Sequence, residues 1–93
     1  MTLELRFFAT FREAVGTKSI ERGFDAPVTV GDVLQSLEDE FPDLAGELLD
    51  DEGSIRPQLS VLQNGRQVFH LDGTETALED GDQLSVFPPV AGG

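Results

Sequence analysis

Few groups in this chain could do covalent chemistry. Cysteine is absent, which removes disulfides, thiolate metal sites, iron–sulfur clusters and a cysteine nucleophile. His70 is the single histidine; it cannot build a histidine metal site alone and has no evident nucleophile beside it. Asp50, Asp51 and Glu52, and the pair Asp80 and Asp82, lack the spacing of a calcium loop and read as solvated acidic surface. Thr29-Val30-Gly31-Asp32 is not a phosphate loop, because the flanking glycines and the lysine are missing. That leaves the chain end, Pro88-Pro89-Val90-Ala91-Gly92-Gly93. Two prolines after a strand stop its ladder and stiffen the exit. Gly92 and Gly93 carry no side chains and would end a packed strand poorly. They suit a thin tail that threads a narrow cleft and sets its carboxylate beside a nucleotide.

Such a tail needs a rigid body behind it, and the hydrophobic pattern supplies one. Leu3, Leu5 and Phe7 alternate with Thr2, Glu4 and Arg6, as in a half-buried strand, which Phe8 and Ala9 extend. Thr10, with Glu13 as its reciprocal partner, is expected to cap a short helix that Gly16 ends. Lys18 to Phe24 reads as a strand returning antiparallel. The main helix follows Pro27: Thr29 is the N-cap and Asp32 its capping-box partner. Val30, Val33, Leu34, Leu37 and Phe41 share one face, with Glu38, Asp39 and Glu40 on the solvated side. Pro42 stops it, and Asp43 to Leu49 allows one further turn.

Leu59 to Leu62 is expected near the sheet centre. Asn64-Gly65 signals a tight type I′ hairpin, with Arg66 to Leu71 as the returning strand. Leu84 to Phe87 is the last strand, with Leu84 and Val86 on one face and Phe87 on the other. The order gives an α+β domain: a β-grasp, ubiquitin-like fold with a mixed sheet of four to five strands on one main helix. Residues 1–87 form that domain and 88–93 a flexible tail. A ferredoxin-like sandwich would need a second amphipathic helix, for which 73–82 is too short and too acidic.

Charge narrows the partners. The 93 residues carry 18 Asp plus Glu against 6 Lys plus Arg, a formal net charge of −12. Direct nucleic-acid binding and an anionic membrane surface are disfavoured, since both need a basic stripe. A partner with a basic face is expected. Many carboxylates beside a single lysine suit a salt-rich cytosol, where the Debye length is about 3 Å at 1 M and self-repulsion costs little. No basic leader and no apolar run long enough to span a bilayer is visible, so a cytoplasmic location is expected. The free state is expected to be monomeric, with reversible partner complexes.

Nearly the whole chain resembles the ubiquitin-like sulfur carriers, above all the small subunit of molybdopterin synthase, and within that group the haloarchaeal small modifier proteins. The matching pieces are Leu5-Arg6-Phe7-Phe8-Ala9, Arg12-Glu13-Ala14-Val15-Gly16, Thr29-Val30-Gly31-Asp32-Val33-Leu34, Leu62-Gln63-Asn64-Gly65, Leu78-Glu79-Asp80-Gly81-Asp82, Leu84 to Val90, and Gly92-Gly93. The last is the specific one. The resemblance implies that the Gly93 carboxylate is the reacting group. An E1-like activating enzyme would join it to AMP using ATP, so this chain would bind no cofactor itself.

The adenylate would then become a thiocarboxylate serving the molybdopterin synthase large subunit or the tRNA thiolation machinery. Alternatively, a substrate lysine would take it as an isopeptide, which a deconjugating metalloprotease could reverse. The chain would be a carrier, a modifier or a non-catalytic subunit, with no catalytic residue of its own. Gly92, Ala91, Val90, Pro89 and Pro88 would thread and aim the tail. Phe87, with Phe8 and Leu62, is a candidate partner-binding patch, set against the reading of ordinary core residues. Lys18 is a candidate modifier acceptor, set against a solvated strand-edge lysine. A bare binding module with an inert diglycine is the remaining alternative.

Overall fold

The computed structural model describes residues 1–89. Strand β1 (Thr2–Phe7) leads into helix α1 (Ala9–Val15) and returns as β2 (Ser19–Gly23). Helix α2 (Val30–Glu40) crosses the sheet. Then come β3 (Ser60–Gln63), β4 (Arg66–Gln67) and β5 (Gln83–Phe87). The five strands lie in the order β2-β1-β5-β3-β4. β1 and β5 are parallel, and the other neighbours are antiparallel. This is the mixed sheet of a β-grasp fold.

Physical chemistry at the α2 start explains the helix. The Thr29 hydroxyl accepts from Asp32 N at 3.2 Å, and the Asp32 carboxylate accepts from Thr29 N at 3.0 Å. Two N–H groups that no helical carbonyl could reach are thereby satisfied. Val30, Val33, Leu34 and Leu37 are fully buried against Leu3, Leu5, Leu84 and Val86. Each such side chain contributes about 1.5–3 kcal/mol relative to exposure. Gly31 lets the segment 73–76 lie on this helix: a Cβ there would meet the Thr74 Cβ at 3.0 Å and its carbonyl at 3.1 Å.

Several local expectations are corrected. The first strand ends at Phe7, and Phe8, not Thr10, is the N-cap of α1, with no side-chain cap. The turn closes on the Phe8 carbonyl, which accepts from Phe11 N at 3.1 Å. That winding carries Phe11 into the core. β3 lies next to the sheet centre, as expected, and β5 is the central strand, its parallel pairing with β1 holding it between the two hairpins.

The returning strand stops at Gln67. Val68–His70 winds into a 3-10 turn instead, which buries Val68 and turns Phe69 outward. The Asn64-Gly65 turn is present, with both residues at positive φ (51° and 86°) as a type I′ turn needs. The extra turn after Pro42 is a short 3-10 helix, Pro42–Leu44. Glu38 is not on the solvated side. It is half-buried, and its carboxylate accepts from Leu48 N at 3.0 Å and Leu49 N at 2.8 Å. No helix among the described residues is long and apolar enough to cross a membrane.

Candidate functional site

The tail leaves from the end of the central strand, so the residues around Phe87 form its root. β5 alternates: Leu84 and Val86 point into the core, while Phe87 faces the open side of the sheet. Phe8 sits just past the end of parallel β1. The two rings stack at 4.0 Å between centroids, 10° from coplanar. Both are half-buried, so they are neither ordinary core nor loose surface. Leu62 is paired with Ser85, and Ser60 with Phe87. The register therefore places Leu62 on the same open face but diagonal to Phe87, outside the stack. The structure thus brings Phe8 and Phe87 together and leaves Leu62 as a neighbour. Ser85, buried between them, was not singled out from sequence; its only signal was its place between Leu84 and Val86.

The other side of the root is a cleft of about 230 Å³ walled by Phe11, Ala14, Asp43, Glu47, Pro88 and Pro89. Pro88 is half-buried and Pro89 exposed, so the stiff dipeptide starts against the body and then departs from it. Val90, Ala91, Gly92 and Gly93 lie outside the described residues. Asp43 and Glu47 put negative charge beside the exit, which no spacing rule in the sequence revealed. Asp43 stands on the 3-10 turn Pro42–Leu44, and Glu47 precedes Leu48 and Leu49, whose N–H groups Glu38 holds.

The turn that delivers β5 is held by carboxylates. Asp80 accepts from Thr2 N at 2.8 Å. Asp82 accepts from Gln63 Nε2 at 2.8 Å, Asn64 Nδ2 at 3.0 Å and Glu79 N at 2.8 Å. Partial burial works against the Asp82 charge, yet these three donors hold its carboxyl below the usual aspartate range. Asp50 similarly accepts from the backbone N–H groups of Glu52 and Ser54. Asp50 and Asp82 are therefore not merely solvated surface, since each closes a turn, and Asp80 ties the last turn to β1. Among the described residues no cluster of His, Asp or Glu could hold a metal ion.

Lys18 is exposed, between α1 and β2. Its carbonyl accepts from Phe7 N at 2.9 Å, so the backbone is fixed while the side chain is outside. The other amine, the Met1 ammonium, donates to the Phe24 carbonyl at 2.9 Å in a partly buried position. His70 is on the opposite flank of the sheet from β2, beside Phe69, away from the Phe8–Phe87 stack.

Comparison with known proteins places this arrangement. The ThiS family model matches residues 5–93. Small archaeal modifier protein 3 of Haloferax volcanii is 64% identical over 93 residues, covering all of both chains. Small archaeal modifier protein 1 of the same organism is 33% identical, covering 98% of this chain and all of its own. The molybdopterin synthase sulfur carrier subunit of Aedes aegypti is 34% identical, covering 98% of this chain and 88% of its own. Among solved structures, a Haloferax volcanii protein in solution superposes with a TM-score of 0.92 at 64% identity, covering all of this chain and 87% of that one. The Amycolatopsis orientalis BexX/CysO complex contains a chain that matches with a TM-score of 0.82 at 26% identity, covering 98% of this chain and 99% of that one.

Proposed function

The chain belongs to the ThiS family, and from that premise we propose that its Gly93 carboxylate is an activated end serving as a sulfur carrier, a protein modifier, or both. A free carboxylate is a poor acyl donor because oxide is a poor leaving group. In this reading an E1-like enzyme supplies the ATP site: the carboxylate attacks the α-phosphate, pyrophosphate departs, and acyl-AMP forms. A persulfide sulfur then displaces AMP, and a thiol cleaves the acyl disulfide to leave a thiocarboxylate. A lysine amine displacing the same AMP leaves an isopeptide bond instead. The sulfur would go to a pterin precursor in the molybdopterin synthase large subunit or to tRNA thiolation. A deconjugating metalloprotease would return a conjugated chain to the pool.

The observation that carries this reading is the diglycine end on a stiff Pro88-Pro89 exit beside the stacked Phe8 and Phe87. Gly92 and Gly93 fit a narrow channel, and a side chain at Gly93 would crowd the acyl carbon. Phe87 and Phe8, with Leu62 diagonal to them, supply the docking face. The lysine-poor acidity and the Haloferax relatives support a salt-rich cytosol.

Self-modification has a structural preference. The Met1 amine is engaged with Phe24, so Lys18 is the amine that a second activated copy can reach. Self-conjugates would then carry one linkage, Gly93 to Lys18, and Lys18→Arg would remove them while sparing other conjugates.

The test is mass spectrometry of the C-terminal peptide from N-terminally tagged protein made in its native host. Oxygen-to-sulfur exchange at Gly93 establishes a carrier, and branched peptides on substrate lysines establish a modifier. Full activity after deletion of Gly92-Gly93 would instead establish an inert module.

A further inference from the structure

Two non-glycine residues among those described have positive φ, Ala9 at 52° and Asn64 at 51°. Asn64 belongs to the type I′ turn, and asparagine enters the left-handed region readily. Alanine does not. Its Cβ crowds the backbone there, and such a conformation persists only where the surrounding structure over-determines it. Ala9 is itself exposed, so the packing of its own methyl group is not the cause. The cause lies in its neighbours on either side.

Phe7 is 1% exposed and Phe11 5%, both in the core. Between them Phe8 points the other way and stacks on Phe87. The chain must leave a strand, keep one ring outside, and return the next to the core within one turn. Phe8 is still extended, at φ −133° and ψ 150°. The chain turns at Ala9, and the Phe8 carbonyl then accepts from Phe11 N at 3.1 Å and Arg12 N at 3.4 Å. An ordinary helical φ of about −63° at Ala9 would swing everything after it by roughly 115° about one bond. Both hydrogen bonds would break and Phe11 would leave the core. Helix α1 also borders the exit: Phe11 and Ala14 wall the cleft that Pro88 and Pro89 line. One left-handed residue thus joins the ring at the tail root to the wall beside the tail.

We propose that Ala9 is a positioning residue for the docking face: its left-handed backbone holds Phe8 against Phe87 and sets α1 beside the tail exit. What the positioned stack is for rests on the reading of Gly93 as an activated end. The positioning itself rests on the backbone geometry alone. Ala9 acts through Phe8, so what matters at this position is the φ that a side chain permits, not its size.

Nuclear Overhauser contacts between the Phe8 and Phe87 rings, measured on the full chain in molar salt, read the position directly. Valine and asparagine are similar in size, but a β-branched residue is a strong outlier in the left-handed region and asparagine is tolerated there. Ala9→Asn is expected to keep the ring contacts and Ala9→Val to lose them. Ala9→Leu, unbranched at Cβ, is expected to weaken them and takes the place of Ala9→Val where that variant does not fold. Adenylation of the same proteins by the E1-like enzyme of the native host, followed by ATP–pyrophosphate exchange, reads the consequence. Ala9→Val, or Ala9→Leu in its place, is expected to raise KM about three- to tenfold at unchanged kcat, with Ala9→Asn within about twofold of wild type in both. Ring contacts that survive intact in Ala9→Val, or in Ala9→Leu in its place, overturn the proposal. So does their loss in Ala9→Asn, which would make side-chain size the cause. An unmoved KM where the contacts are lost overturns the link to docking. A wild type that the enzyme does not adenylate overturns the reading of Gly93 instead, and the ring contacts still decide the role of Ala9.

Discussion

Glu38 offers a quantitative test, because one carboxylate holds the segment that walls the tail root. Its oxygen accepts from Leu48 N and Leu49 N at 3.0 and 2.8 Å. Hydrogen bonds to a charged acceptor contribute about 1.5–3 kcal/mol, and neutral ones about 0.5–1.5. Glu38→Gln keeps the shape and one amide oxygen but loses the charge, so we expect a loss of about 1–1.5 kcal/mol, the difference between those ranges. For a domain of this size that lowers the melting temperature by about 4–12 °C. Glu38→Ala leaves two partly buried N–H groups without an acceptor and should cost about 2–4 kcal/mol.

The pH dependence carries a definite sign. Partial burial raises the Glu38 pKa, but the backbone donors, aided by Arg56, outweigh it and leave the folded value lowered. A group depressed in the folded state contributes its stability above the unfolded value, and that contribution is lost as pH falls through the folded one. The penalty of Glu38→Gln should therefore be full at pH 7 and shrink below roughly pH 4.3, where the unfolded carboxyl becomes neutral, until the folded one is protonated too. Urea titrations of both proteins at constant molar salt, at pH 7 and pH 3.5, measure this. A difference below about 0.3 kcal/mol at pH 7, or one that does not narrow in acid, would refute the anchoring role.

Four further outcomes are expected. Stability should rise from low to molar salt as carboxylate repulsion is screened; equal melting midpoints would sink the halophilic reading. Gly31→Ala should lose about 1 kcal/mol or more by overpacking, although alanine is the better helix former. The segment carrying Thr74 is fixed to the helix start by the Thr76 carbonyl, which accepts from Val30 N at 3.0 Å; thermal unfolding reads the sign. Asp82→Asn should loosen the turn before β5 and cost about 1–2 kcal/mol, mostly above the depressed Asp82 pKa, as a pH series of unfolding curves would show. Phe87→Ala should remove a stacked pair contributing about 0.5–1.5 kcal/mol. It should weaken binding of the tail-activating enzyme by calorimetry more than it lowers stability; an unchanged affinity would remove Phe87 from the docking face.

Much of the fold was legible because it is written in local chemistry. The capping box at Thr29 and Asp32, the apolar stripe from Val30 to Leu37 and the positive-φ pair Asn64-Gly65 each involve residues within a turn or two of one another. Their physics does not wait for the rest of the chain. The family, too, was legible in the order of short motifs that ends in Gly92-Gly93. What the sequence left undecided depends on contacts between distant segments. Glu38 reads as solvated until the chain ten residues on brings two N–H groups over it. Phe8 and Phe87 are far apart in sequence, and parallel pairing of β1 with β5 makes them a stack. Arg66 to Leu71 has the composition of a strand, yet burying Val68 at the sheet edge winds it into a turn and leaves Phe69 outside. Alternation states which faces differ; only tertiary packing decides which face finds a core and which is left for a partner.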